Sequence, residues 1–501
     1  LAAITAGLLA FFGSALVGLI AGLPLPIVHD EFAYLLQADT FVHGRVANPA
    51  HPMWQHFETF HILWQPTYAS KYPPAQGLVL ALGQVLGHPV IGVWISAGLM
   101  CAALTWMLFA WVPRRWAVVG GILVAAQLGM VSYWTQSYWG GAVAAAGGAL
   151  LFGATRRLVE DPRLRDGLVL GLGLVILATS RPFEGFLVSL PAAAVLAWAV
   201  IRSRTAPILA ALAVTLAVLV LSSLGIGYYN HRVTGDALTM PQAAYNRTYA
   251  LTPNFFWQEP PDLPDRKFRH AEFEEFFRGY ALERYEEMRD PSTFLLRSIG
   301  KLITIPLFFL GPGVLALFRL RKALRDHWIQ LAAGVSLGLL LVELFTNTWP
   351  HYLAPATCLV FVVMIACLRT LHETSTRHLE GRRMVLLIVV FFALSLPVRV
   401  LTLAAHEARS LASFARQRED VVETLLRHPG RDLVIVHYGQ DHNVHEEWVF
   451  NEADIDGAEI VWARDMGGRN GEIIAYFPQR RVWHLRVDRE PRLQPIRGSD
   501  R

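Results

Sequence analysis

Cysteine and charge are both scarce in this chain of 501 residues. Its three cysteines, Cys101, Cys358 and Cys367, all sit in apolar stretches, so no polar loop offers a disulfide framework or a CxxC metal site. Asp, Glu, Lys and Arg make up 17% of the residues, against about 25% in an average soluble chain. That shortfall, with long uncharged apolar runs, excludes a soluble globular enzyme and a disordered chain. The net charge of +4 is too small to point to nucleic acid, and its placement is more informative than its size. No repeat or low-complexity segment stands out.

What is abundant is apolar sequence of membrane-crossing length. Candidate spans are 1–25, 90–112, 117–133, 141–155, 166–180, 184–201, 206–229, 298–318, 328–346, 352–370 and 384–403. The first is too long for a signal-peptide core and lacks an A-x-A cleavage site, so it reads as a transmembrane helix whose cytoplasmic lead is missing. The loops 113–116, 156–166, 202–204, 319–327 and 369–383 hold 16 Lys and Arg in 42 positions, and the alternating loops 132–140, 180–186 and 346–351 hold one. Basic residues are retained in the cytoplasm. The alternation therefore predicts a multi-pass protein of the inner (plasma) membrane with 26–89, 230–297 and the tail after 403 on the periplasmic, extracytoplasmic side. A second crossing within 76–112 would put Arg114 and Arg115 outside, so 74–87 is expected to lie in the outer interface.

The expected fold class is an all-α polytopic membrane domain of about eleven helices, 1–403, with a small soluble α/β domain, 404–501. In the tail, 433–437, 459–463 and 482–487 read as strands, with a short helix near 470–477. Arg464-Asp465-Met466-Gly467-Gly468-Arg469-Asn470-Gly471 is glycine-rich but matches no phosphate-binding motif; a β–α turn and a phosphate or sugar site are both open readings.

The 26–89 segment carries most of the chemistry. Asp30 and Glu31 are adjacent; acids at a helix start favour its dipole, while paired like charges raise a pKa toward that of a general base. His29, His43, His51, His56 and His61 share the segment with Tyr34, Trp54, Trp64, Tyr68 and Tyr72. The rings suit either interfacial anchoring or stacking on a sugar. The histidines with Asp30 offer a divalent-metal alternative, although the expectation is that no metal or other cofactor is used. Lys71, before Pro73 and Pro74, is either a snorkelling anchor or a phosphate contact at a helix start.

Further candidates line the outer ends of the spans. The second outside loop has a doubled SYW pattern with Trp134 and Trp139 and no acid, so an acidic partner for Asp30 must be Glu31 or come from elsewhere. Arg181 and Glu184 follow the short fifth span and either pair together or leave Arg181 for a phosphate. Glu343 lies inside a span, with His351 and Tyr352 in the following turn; ionisable residues in a membrane are functional candidates by default. The helix near 266–289 reads as a solvated lid.

A first span, then Asp30-Glu31 and Tyr34 on an amphipathic helix, then Lys71, Pro73 and Pro74 before an interfacial helix, resembles the GT-C superfamily of membrane glycosyltransferases. The likeness is greatest to its protein O-mannosyltransferase and lipid A aminoarabinose transferase branch and covers about 90 residues specifically. The resemblance implies transfer of a sugar from a polyprenyl-phosphate donor to a lipid, glycan or protein acceptor at the outer face. It implies Asp30 as acceptor base or positioner, Glu31 beside it, and Lys71 on the donor phosphate, with Arg181 a second phosphate candidate. Tyr34, Tyr72, Trp134, Trp139, Glu343, His351 and Tyr352 are then expected around the substrate cavity. A flippase for lipid-linked sugars and a non-catalytic membrane scaffold are the alternatives; against the flippase, no inverted repeat is visible.

Overall fold

The computed structural model describes residues 1–203, 205–260, 266–374, 378–409, 413–488 and 491–496. The expected basic loops 202–204 and 369–383 thus fall partly outside the described residues. Among the described residues, eight helices are long and apolar enough to cross a membrane: Ala2–Ala21, Pro89–Trp111, Ala142–Glu160, Pro182–Arg202, Ala206–Thr234, Pro291–Ala323, Pro350–Glu373 and Glu380–Ala405. The other three expected spans are shorter helices, Arg114–Val124 of 11 residues, extended by a π turn to Gly129, and Leu164–Ser180 and His327–Glu343 of 17 each. Seventeen residues reach about 26 Å, less than a hydrocarbon core of about 30 Å. Length and composition thus mark eight of the eleven expected spans as crossings, and the other three are short apolar helices. Breakers visible in the sequence cut these helices short: Pro113 before the first, Pro182 after the second, and Pro350 beyond the third.

The Pro74–Val85 helix has 12 residues, too few to cross a bilayer, and starts on Pro74, whose missing N–H is no loss at a first helical position. The last long helix runs through His378–Arg409, past residue 403. The glycine- and alanine-rich Ala142–Glu160 helix packs against its neighbours through small residues, as its composition predicts. A Cβ on Gly148 would lie 1.9 Å from the Pro355 carbonyl oxygen, which is backbone in the turn that carries His351. Gly148→Ala is expected to push that turn away and lower the thermal unfolding midpoint by several degrees, in line with an overpacking penalty of about 1–3 kcal/mol. An unchanged midpoint in detergent would show that the contact is looser than this.

Two small sheets complete the fold. Strands β1 (Asn48–Pro49), β2 (Ile62–Leu63) and β3 (Thr67–Ser70) form an antiparallel sheet in the order β1-β3-β2. In the tail, β4 (Asp432–His437), β5 (Ile460–Arg464), β6 (Arg481–Arg486) and β7 (Arg492–Pro495) are ordered β5-β4-β6-β7. β4 is parallel to both β5 and β6, and β7 is antiparallel to β6. Leu433 to Val436 of the central strand are all fully buried, as expected for a parallel strand covered on both faces.

The tail and the 26–89 segment share one core. Phe32, Phe57, Trp64 and Tyr68 pack with Leu433, Val434, Trp448, Val449 and Trp462. Phe32 stacks on Phe450 at 4.1 Å. Tyr68 donates to the Asn451 carbonyl at 2.8 Å, and the Ala453 amide donates to Asp39 at 2.7 Å. Arg464, buried at the end of β5, donates to the Glu58 carbonyl at 2.6 Å and pairs with Glu272 and Glu447. The His29–Val42 helix, which starts on the candidate acids, is therefore clamped between the tail on one side and the Pro74–Val85 helix on the other.

Candidate active site

Val28 caps the His29–Val42 helix, and the two acids fall in its first turn. They serve different ends. Glu31 is 1% exposed; its carboxylate accepts from the amides of Ile27 at 2.8 Å, Val28 at 3.3 Å and Tyr138 at 2.9 Å. The helix-start reading of the pair thus describes Glu31, which also ties the 26–89 segment to the 132–140 loop. Burial pushes its pKa up to about 7, and the three amides oppose that rise. Glu31→Ala is expected to leave buried amides unpaired at about 1–3 kcal/mol each, a loss of thermal stability that differential scanning fluorimetry reads; a wild-type midpoint would remove the clamp.

Asp30 turns the other way. Tyr72 donates its phenolic hydrogen to Asp30 Oδ1, and His61 Nε2 stands 3.6 Å from Oδ2. The Asp30 side chain is 24% exposed, so Oδ2 is open to a further partner. Lys71 Nζ lies 2.9 Å from His61 Nδ1. A charged ammonium donates there, which leaves the imidazole proton on Nε2, facing Asp30. Burial drives the His61 pKa well below its usual value, with the Lys71 charge adding to the effect, so the ring is neutral at pH 7. Burial also lowers Lys71 to about 8, a fall that Asp30 partly offsets.

The strands explain this convergence. β2 pairs with β3 through Ile62↔Ser70 and Leu63↔Ala69, so His61 and Lys71 are the next opposed pair, and the Lys71 amide donates to the His61 carbonyl at 3.1 Å. His61 takes the left-handed backbone region, φ 63°, uncommon for a residue with a side chain. Its amide donates to the Tyr245 hydroxyl at 2.9 Å, and Lys71 Nζ sits 4.7 Å from the Tyr245 ring. Tyr34 stacks on Tyr72 at 4.5 Å. Phe276, on the helical stretch expected to be a lid, packs on His29 and His61.

A second cluster stands beside the first. Arg181 lies between two helices with its guanidinium 4.5 Å over the Tyr352 ring and 4.0 Å from Glu184. Its charge is close enough to be felt by the Tyr34 and Tyr72 hydroxyls. Trp139 packs 4.6 Å from His351, whose Nδ1 is 3.0 Å from the Tyr133 hydroxyl. Glu343 is buried with Oε2 on the Thr346 hydroxyl at 2.7 Å. Trp134 is 1% exposed and sits among Phe308 and Phe309, apart from the Asp30 group.

Two cavities adjoin these clusters. One of about 390 Å³ is an apolar groove lined by Leu187, Val188 and Pro191 of one helix and Leu331, Leu339 and Val342 of another. Its two helices carry Glu184 in the first turn of one and Glu343 at the end of the other, with Arg181 4.0 Å from Glu184. Another, of about 470 Å³, is lined by Trp54, Glu58, Trp64, Tyr249, Arg266 and Arg269, one helical turn from Tyr245. His61 and Tyr245 complete the site and are poorly marked in the sequence. His61 is one of six histidines in the 26–89 segment, and only the strand register sets it opposite Lys71.

Compared by sequence, the chain matches no protein-family model and no curated protein. Compared by structure, it is similar to ArnT, the lipid A aminoarabinose transferase, from Cupriavidus metallidurans, solved bound to undecaprenyl phosphate, with a TM-score of 0.55 at 12% identity over 96% of this chain and 92% of that one. The apo state of ArnT gives 0.52 at 11% identity over 95% and 92%. The oligosaccharyltransferase of Archaeoglobus fulgidus, tethered with an acceptor peptide, gives 0.54 at 10% identity over 97% of this chain and 68% of that one. The chain has the fold of the GT-C membrane glycosyltransferases.

Proposed function

We propose that this protein is a membrane glycosyltransferase that moves a sugar from a polyprenyl-phosphate donor to an acceptor at the extracytoplasmic face of the plasma membrane. The observation that carries this reading is the cluster of Tyr72, Asp30, His61 and Lys71, in which Tyr72 donates to Asp30, His61 stands 3.6 Å from it and Lys71 lies 2.9 Å from His61: an accessible carboxylate with a cation one imidazole away. The donor phosphate binds to Lys71 and Arg181, and its polyprenyl tail enters the apolar groove from Leu187 and Val342 inward. That groove runs along one helix from Leu331 to Val342, 12 residues, about 16 Å of lipid contact. The acceptor hydroxyl or amine meets Asp30 Oδ2, which takes its proton as the acceptor attacks the anomeric carbon and the lipid phosphate leaves. Phosphate is a good leaving group, so positioning and charge stabilisation are the protein's main tasks. Glu31 holds the helix turn that aims Asp30, and needs no part in proton transfer.

The fold supports glycosyl transfer, and the ArnT structure with undecaprenyl phosphate supports a polyprenyl-phosphate donor. The test is release of polyprenyl phosphate from a sugar-labelled donor by purified protein supplied with a mixed lipid and glycan acceptor extract. Release, with label on the acceptor, is expected. Movement of intact donor across liposomes without release would instead favour a flippase.

A further inference from the structure

The carboxyl ends of the tail's parallel strands bring together three potential metal ligands that glycosyl transfer does not use. His437 closes β4, Asp465 follows β5, and His484 lies on β6 opposite Ile435. His437 is two residues beyond Ile435, so both histidines rise from one face of the sheet. Their ligand atoms all fall within 4.8 Å of one another. Asp465 Oδ2 is the hub, 2.8 Å from His437 Nδ1 and 3.2 Å from His484 Nε2. The other oxygen, Oδ1, is held by the Gly467 amide at 2.9 Å and by Asn470 Nδ2 at 2.7 Å. Such outer contacts fix a ligating carboxylate. They also give the glycine-rich stretch 464–471 a role its sequence left open: it turns back so that Gly467 and Asn470 aim Asp465 at the two rings.

The place in the fold is itself a binding position. From β4 the chain goes to β5 on one side, then crosses to β6 on the other, so the three residues stand at the switch point of a parallel sheet, where ligands bind beyond the carboxyl ends of the strands. The side chains of His437, Asp465 and His484 are 46%, 18% and 21% exposed, so an ion can reach them from solvent.

We propose that His437, Asp465 and His484 bind one divalent transition-metal ion of the zinc type, with a fourth position open to water. Two imidazoles and one carboxylate suit Zn²⁺ and its neighbours rather than Mg²⁺ or Ca²⁺, which prefer all-oxygen shells. The ion takes the place of the hydrogens that Asp465 now shares with the two rings and ties β4, β5 and β6 together. The proposal is independent of the glycosyltransferase reading, because the site lies in the tail sheet and shares no residue with the Asp30 group.

Zinc titration of metal-stripped, full-length protein in detergent tests it. Wild type is expected to bind one equivalent more than His437→Gln or His484→Gln, or to bind that equivalent at least about 10-fold more tightly, the smallest loss usual for disturbing a metal's surroundings. Equal stoichiometry and affinity in wild type and both variants would overturn the site. Should the variants fail to fold, the wild-type chain still decides: Zn²⁺ is expected to shield His437 and His484 from diethyl pyrocarbonate by mass spectrometry while Mg²⁺ is not. Equal modification of both histidines with and without Zn²⁺ would refute the proposal.

Discussion

Asp30→Asn is expected to lower transfer by about 10²–10⁴-fold, the usual loss on removing a general base, while the protein stays folded. Asparagine keeps the size of the side chain and still accepts the Tyr72 hydrogen through its carbonyl oxygen, so the contact at Oδ1 survives. What is lost is the second oxygen as a proton acceptor, the one that stands 3.6 Å from His61. A purely structural role predicts the reverse: near-wild-type transfer with any defect in stability. The helix start already has its acid in Glu31, which accepts from Ile27 and Val28, so Asp30 is not needed there. The comparison of initial rates with thermal midpoints for the two proteins separates the readings. Near-full transfer by Asp30→Asn would remove Asp30 from the chemistry.

Lys71→Ala is expected to weaken donor binding by about 10–100-fold, the value of a hydrogen bond to a charged group, and to change kcat far less. The phosphate contact exists before and during transfer, so its loss appears mainly in KM. Arg181→Ala is expected to behave likewise. pH gives a second handle. Burial brings Lys71 to about 8, with Asp30 opposing the fall. Its positive charge is present below that pH and is lost as pH rises through it, so donor affinity declines on the alkaline side of about 8. Lys71→Arg keeps its charge throughout that range and is expected to remove the alkaline limb. An identical decline in Lys71→Arg would assign the titration to another group.

Much of the architecture follows from composition and periodicity, because apolar length and helix breakers are local properties. The eight long spans, the Pro74–Val85 helix and the strands near 433, 460 and 482 lie within a few residues of the expected positions. The remaining three expected spans are the shorter helices Arg114–Val124, Leu164–Ser180 and His327–Glu343, bounded by Pro113, Pro182 and Pro350, which apolar composition alone does not weigh. The site is legible in part. Asp30, Lys71 and Tyr72 stand at informative places, beside the first span and before a proline pair, and the structure brings them together. His61 and Tyr245 are common types whose importance arises from strand register and from a helix 184 residues away in sequence. The shared core of the tail and the 26–89 segment depends on contacts such as Phe32 on Phe450, which no local pattern reveals.

The most direct test is a density map of the protein with a polyprenyl phosphate bound. The account predicts the phosphate between Lys71 and Arg181, beside Tyr72, with the first isoprene units along Leu187, Val188 and Val342 and Asp30 Oδ2 facing the side from which the acceptor comes. A phosphate bound elsewhere, with Lys71 still on His61 and the groove empty, would contradict it.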